Sequence, residues 1–114
     1  MKYLACPYTH KNLYVRNTRF TTANQVAAIL MQRGEIIFSP LSHSVPIDNW
    51  VDNGDHDFWL RQDREFLNVC DELLVLTLDG WKSSFGVRWE IKYMVSKGKP
   101  VTYIDEEANE IFPN

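Results

Sequence analysis

The run Glu72-Leu-Leu-Val-Leu-Thr-Leu78 limits this chain more than any other segment, because its aliphatic side chains follow one another without a break. Successive strand residues point to opposite faces of a sheet, so a strand of this composition must be covered on both sides. Such strands belong to parallel sheets flanked by helices, and the rest of the sequence has the matching rhythm. Shorter apolar runs at 2–6, 35–39 and 100–104 read as further strands, the first two ended by Pro7 and Pro40. Segments of helical period lie between them. Residues 17–33 put Phe20, Ala23, Ala27 and Leu30 on one side and stop at Gly34. Residues 58–69 and 84–97 form the next two helices, the last stopped by Gly98, and the tail 105–114 reads as irregular.

This alternation predicts one α/β domain over 1–114, a small doubly wound sheet of flavodoxin-like or Rossmann-like type. Its four to five parallel strands carry helices on both faces. At 114 residues the chain has material for one core. With 24% charged residues and a net charge of −3, it has no basic cluster to hold nucleic acid or a membrane surface. No apolar run nears the ~20 residues of a membrane span. The N-terminal run is too short for a signal peptide, so the cytoplasm is the expected compartment. Cys6 and Cys70 fall at opposite ends of parallel strands and lack ligand spacing, so neither a disulfide nor a metal site is expected.

Two acids interrupt this pattern. In the last helix Val87, Ile91, Met94 and Val95 share a face, and Glu90 borders it. In the helix before, Trp59, Phe66, Leu67 and Cys70 form a stripe with Asp63 in its middle. A buried carboxylate without a partner costs several kcal/mol or shifts its pKa, a cost met most often at sites. A first-turn acid on a helix dipole, or a buried ion pair with Arg16 or Arg19, is the alternative. In a doubly wound sheet, ligands bind beyond the carboxyl ends of the strands. The unusual segments fall at that edge: Pro7-Tyr-Thr-His10, Ser39-Pro-Leu-Ser-His43 and Asp79-Gly-Trp-Lys-Ser-Ser84. Ser84 can cap the following helix or present an anion site with the free N–H groups near Gly86. The stretch 39–57 is long for a connection, and its His43, Trp50, His56 and Asp57 suit a lid.

Taken together, Tyr3-Leu-Ala-Cys-Pro-Tyr8, Asp63, Leu76-Thr-Leu-Asp79-Gly80, Ser84-Phe-Gly86-Val-Arg-Trp-Glu90 and Gly98-Lys-Pro-Val101 resemble the nucleoside 2-deoxyribosyltransferase superfamily. That superfamily includes the 2'-deoxynucleoside 5'-monophosphate N-glycosidases, whose Ser-x-Gly-Val-x-x-Glu pattern is similar to Ser84–Glu90. An uncharacterised bacterial and phage branch resembles the chain further at 38–43, 58–63 and 79–87. The resemblance implies cleavage or transfer at the N-glycosidic bond of a (deoxy)nucleoside or nucleoside 5'-monophosphate, with no cofactor. It implies Glu90 as nucleophile, Asp63 holding the sugar or assisting proton transfer, and Tyr8 orienting the nucleophile or lining the sugar pocket. Asp79 would contact the base. Gly80, Trp81, Ser83, Ser84, Gly86, Ser39 and His43 would complete the substrate-binding set. Two departures stand out: Ser83, Ser84 and Phe85 replace the acid that transferases carry before the glycine, and Pro7-Tyr8 replaces the Gly-Ser pair of the phosphate-recognising hydrolases. A nucleotide-sensing module without turnover, or a purely structural domain, is the competing reading. The resemblance also implies a homo-oligomer, and Trp89 and Tyr93, opposite the Val87–Met94 stripe, are the expected contact.

Overall fold

A computed structural model describes residues 1–113. Five strands form one sheet in the order β2-β1-β3-β4-β5. These are β1 (Lys2–Ala5), β2 (Ile37–Phe38), β3 (Glu72–Leu76), β4 (Val101–Ile104) and β5 (Glu110–Ile111). The first four are parallel, with Lys2 opposite both Ile37 and Glu72 and Leu73 opposite Val101. The helices are α1 (Leu13–Gln32), α2 (Pro40–Asp48), α3 (His56–Val69) and α4 (Phe85–Ser96), with a 3-10 turn at Trp81–Ser83. Among the described residues no helix is long and apolar enough to cross a membrane.

The alternation of strand side chains divides the core in two. Leu4, Cys6, Leu74, Leu76 and Ile104 face α1, meeting Ala23, Val26, Ala27 and Leu30. Tyr3, Ala5, Leu73 and Val75 face the other way, meeting Leu67 and Cys70 near α3 and Val87 and Met94 of α4. Burying each such large aliphatic side chain contributes roughly 1.5–3 kcal/mol, so a charge at Val75 would break the sheet from its centre. Because the helices that follow β1 and β3 pack on opposite faces, a crevice opens between the ends of these adjacent strands.

Several boundaries differ from the sequence expectation. α1 starts at Leu13, four residues before position 17, because Asn12 caps it by accepting from Tyr14 N at 2.8 Å and Val15 N at 3.4 Å. Phe20 is only half-buried, and Val26 takes a core place beside Ala23 and Ala27. The connection 39–57 is largely helix: Pro40 opens α2, and Trp50 beyond its end is 89% exposed. Val95 is exposed and does not join the α4 core face. The tail is partly ordered as β5, antiparallel to β4, with Tyr103 opposite Ile111; Asn114 lies outside the described residues. Trp89 and Tyr93 do not stand free in water. Their rings stack at 5.5 Å along the second core cluster, and the Tyr93 hydroxyl donates to Asn68 Oδ1 at 2.5 Å. The α3–α4 seam covers part of their apolar surface and leaves both rings half-buried. The two cysteines are free, as expected.

Candidate active site

Asp63 and Glu90 come together on the face that α3 and α4 share. Glu90 sits in the middle of α4 and is 6% exposed. Its Oε2 accepts a short hydrogen bond from the hydroxyl of Tyr3, a residue of β1 that is itself fully buried. Asp63 is half-buried one helix away. Among the described residues neither acid forms an ion pair; Arg16 donates to the His10 carbonyl, and Arg19 donates to the carbonyls of Thr9 and Asp79. The ion-pair alternative is thereby removed.

The missing cation shows in the protonation of the pair. Burial pushes the Glu90 carboxyl up to about 8; the Tyr3 bond pulls it down, and the negative charge of Asp63 pushes it up again. Burial likewise raises Asp63 to about 6, against a lowering influence from the Tyr3 hydroxyl. Tyr3 is held well above the usual phenol range, first by burial and then by the two carboxylates. One hydroxyl hydrogen serves one carboxylate at a time, and here it is on Glu90.

An aromatic wall flanks the pair. Trp59, Asp63 and Phe66 are spaced four and three apart on α3 and share one face. Phe66 stacks on Phe38 at 3.9 Å, and Phe38 lies 5.7 Å from the Tyr3 ring. His43 of α2 packs on Phe38 and Phe66, each at 5.6 Å, and edge-on to Trp59.

A second feature lies above, at the crevice between the ends of β1 and β3. There a cleft of about 290 Å³ is lined by Thr9, His10, Arg19, Asp79, Gly80, Ser83 and Ser84. Arg19 reaches it from α1, its Nη1 donating to Thr9 O at 3.2 Å and Nη2 to Asp79 O at 2.9 Å, so one guanidinium fastens the two rim loops together. Gly80 allows this approach: its φ is +88°, and a Cβ there would stand 2.8 Å from Arg19 Nη2. Ser84 caps α4 by accepting from Val87 N at 3.3 Å, and Ser83 donates to Gly80 O at 3.1 Å. Gly86 leaves the first turn of α4 open, with no atom within 4 Å of the position a Cβ would take.

The structure thus brings Asp63 and Glu90 together in one place and Asp79, Gly80, Ser83 and Ser84 in another. Tyr8 is half-buried in the loop after β1, and the phenol that reaches Glu90 is that of Tyr3. Trp81 packs its ring 5.3 Å from Tyr103, against the second core cluster. Ser39 is buried ahead of α2, accepting from Ser42 Oγ at 2.8 Å. The sequence reading missed Tyr3 and Arg19. Tyr3 opens the first motif quoted for the family, but strand alternation marks it only as core.

Comparison with known proteins agrees with this architecture. The fold is similar to that of a 2-deoxyribosyltransferase from the psychrotolerant bacterium Bacillus psychrosaccharolyticus, described as a biocatalyst for nucleoside synthesis. The TM-score is 0.68 at 23% identity, over 98% of this chain and 76% of that one. No curated protein matches the chain. Residues 1–106 match the family described as a domain of unknown function, DUF1937, and the chain belongs to that family.

Proposed function

We propose that this protein is an enzyme acting at the N-glycosidic bond of a (deoxy)nucleoside or nucleoside 5'-monophosphate, with Glu90 as nucleophile. The observation that carries the reading is the pair of buried Glu90 and half-buried Asp63, both under the influence of the Tyr3 hydroxyl and without an ion-pair partner among the described residues. Ionised Glu90 attacks the anomeric carbon while the carbon–nitrogen bond to the base breaks, and the departing base takes a proton from Asp63. Water, or a second base, then displaces the carboxylate. Between pH about 6 and about 8 the two acids hold one proton between them. Reaction needs that proton on Asp63, and the Tyr3 hydroxyl connects the two groups. The rim cleft, with Ser83, Ser84 and the Arg19 guanidinium, is the place for the polar end of the sugar. A homo-oligomer belongs to this reading as well, with the half-buried Trp89 and Tyr93 in or beside its contact.

The rival reading is a nucleotide-binding module without turnover. It draws support from the rim cleft, whose lining does not include Glu90. Incubation with a panel of nucleosides and 5'-monophosphates, with and without an acceptor base, separates the two. Free base or an exchanged nucleoside, seen by chromatography and lost in Glu90→Ala, is the expected result. Tight binding with no released base after long incubation supports the module and ends the enzyme reading.

A further inference from the structure

Glu90 and Tyr3 are sealed: they are 6% and 0% exposed, and neither lines the rim cleft or the neighbouring cleft of about 330 Å³ at Thr77–Ser83. A ligand that meets this pair must displace something. The approach past half-buried Asp63 is bounded on the β2 side by Phe38, Phe66 and Trp59, and the element resting on those three rings is α2, through His43. Its far end is tied down separately. Asp48, the last residue of α2, accepts from Trp59 Nε1 at 2.8 Å. Gly54 closes around the same bond, since a Cβ there would lie 2.5 Å from Asp48 Oδ1 and 3.3 Å from Trp59 Nε1. A carboxylate at a helix C-terminus is disfavoured by the helix dipole, so helix stability does not account for Asp48. Its bond to Trp59 does. The start of α2 is anchored, with Leu41 packed on the first core cluster and Ser42 donating to Asn24 of α1, which makes it the hinge; Pro46 lies inside the helix, and the residues from Val45 to Asp48 are half-buried or exposed.

We infer that α2 is a hinged cover over the acid pair and that the Asp48–Trp59 hydrogen bond is its latch. Opening withdraws His43 from Phe38 and Phe66 and uncovers a flat apolar wall beside Asp63. The use of that opening, to admit a substrate, rests on the glycosidic reading; the opening itself does not.

Amide hydrogen exchange and carboxyl labelling test the latch without any substrate. Asp48→Ala and Trp59→Phe should each speed exchange across α2 about three- to tenfold, the effect expected for losing one hydrogen bond. The double variant should be no faster than either single one, because both remove the same bond. Asp48→Asn keeps the acceptor oxygen and should restore the slow rate. In the same variants, a water-soluble carbodiimide with glycine methyl ester should modify Glu90 three- to tenfold faster, read by mass spectrometry. Unchanged exchange in α2, or an equal rise in α1 and α4, overturns the latch. Faster exchange in α2 with unchanged labelling of Glu90 overturns the cover. Loss of the glycosidic reading through the base-release assay leaves all these outcomes readable.

Discussion

The amino-terminal rim of the sheet and the face covered by α3 and α4 handle charge in opposite ways. At the amino-terminal rim every acid meets a cation or a donor. The amino terminus lies 3.0 Å from Asp71, Lys2 lies 3.0 Å from Glu35 and 3.6 Å from Glu72, and Thr102 donates to Glu72 at 2.7 Å. Lys99 places its ammonium on three carbonyls, those of Leu67, Asn68 and Cys70, where α3 ends. Farther along, Glu90 and Asp63 have only a phenol between them. Exposed pairs of the first kind contribute little to stability, because water screens them, and they fasten the chain ends. Buried acids of the second kind cost stability, so their presence points to chemistry rather than architecture.

That contrast can be broken most decisively at Glu90. Glu90→Ala is expected to lower any glycosidic activity by at least about a thousandfold, as loss of a nucleophile does, while circular dichroism shows the sheet intact. Collapse of the fold would make Glu90 a structural residue and erase the contrast. Tyr3→Phe comes next. Without its hydroxyl both Glu90 and Asp63 lose the influence that lowers their pKa, so activity at pH 7 should fall roughly tenfold to a hundredfold and the pH range of activity should move upward. An unchanged pH profile would detach Tyr3 from the acid pair.

Stability against pH sharpens the same comparison. The Glu90 carboxyl is raised from 4.5 to about 8 in the folded chain. Between these values the folded state keeps a proton that the unfolded state has lost, so stability falls as pH rises through the interval. Asp63 acts in the same direction between 3.8 and about 6. Denaturant unfolding should therefore show wild type losing on the order of a few kcal/mol between pH 6 and 8.5, and Glu90→Gln losing much less. Equal losses in both proteins would place the effect elsewhere. The smallest effect belongs to the paired rim: Lys2→Ala should cost below about 1 kcal/mol, and a larger loss would show that this rim is more than a fastening.

What could be read from sequence follows from the range of each signal. The buried run at Glu72–Leu76 and the helical stripes of α1, α3 and α4 are local patterns, and they gave the fold. The two acids were visible because each interrupts such a stripe. Tyr3 was not, since its contact with Glu90 spans 87 residues and alternation marks it only as core. Arg19 was considered as a partner for Asp63; its use of two loop carbonyls depends on how α1 docks. α2 was hidden by Pro40, Ser42, His43 and Pro46, which resemble loop composition. Proline at the first position is nevertheless a helix-start signal, and Ser39-Pro40 carried it. A two-residue strand such as β5 has no period to detect.

Ser84 and Glu90 belong to the same helix, and this makes α4 a ruler. Six residues at about 1.5 Å each set some 9 Å along the axis between the capping serine at the cleft and the carboxylate below it. The helix is capped at one end, and packed core residues Val87 and Met94 flank Glu90, so the interval cannot stretch to suit a visitor. Inserting or deleting one residue between the two marks would swing the carboxylate about 100° around the axis, away from Tyr3. In the proposed reaction a molecule held at Ser84 is therefore sorted by length: one too short stops before the carboxylate, and one too long overshoots it.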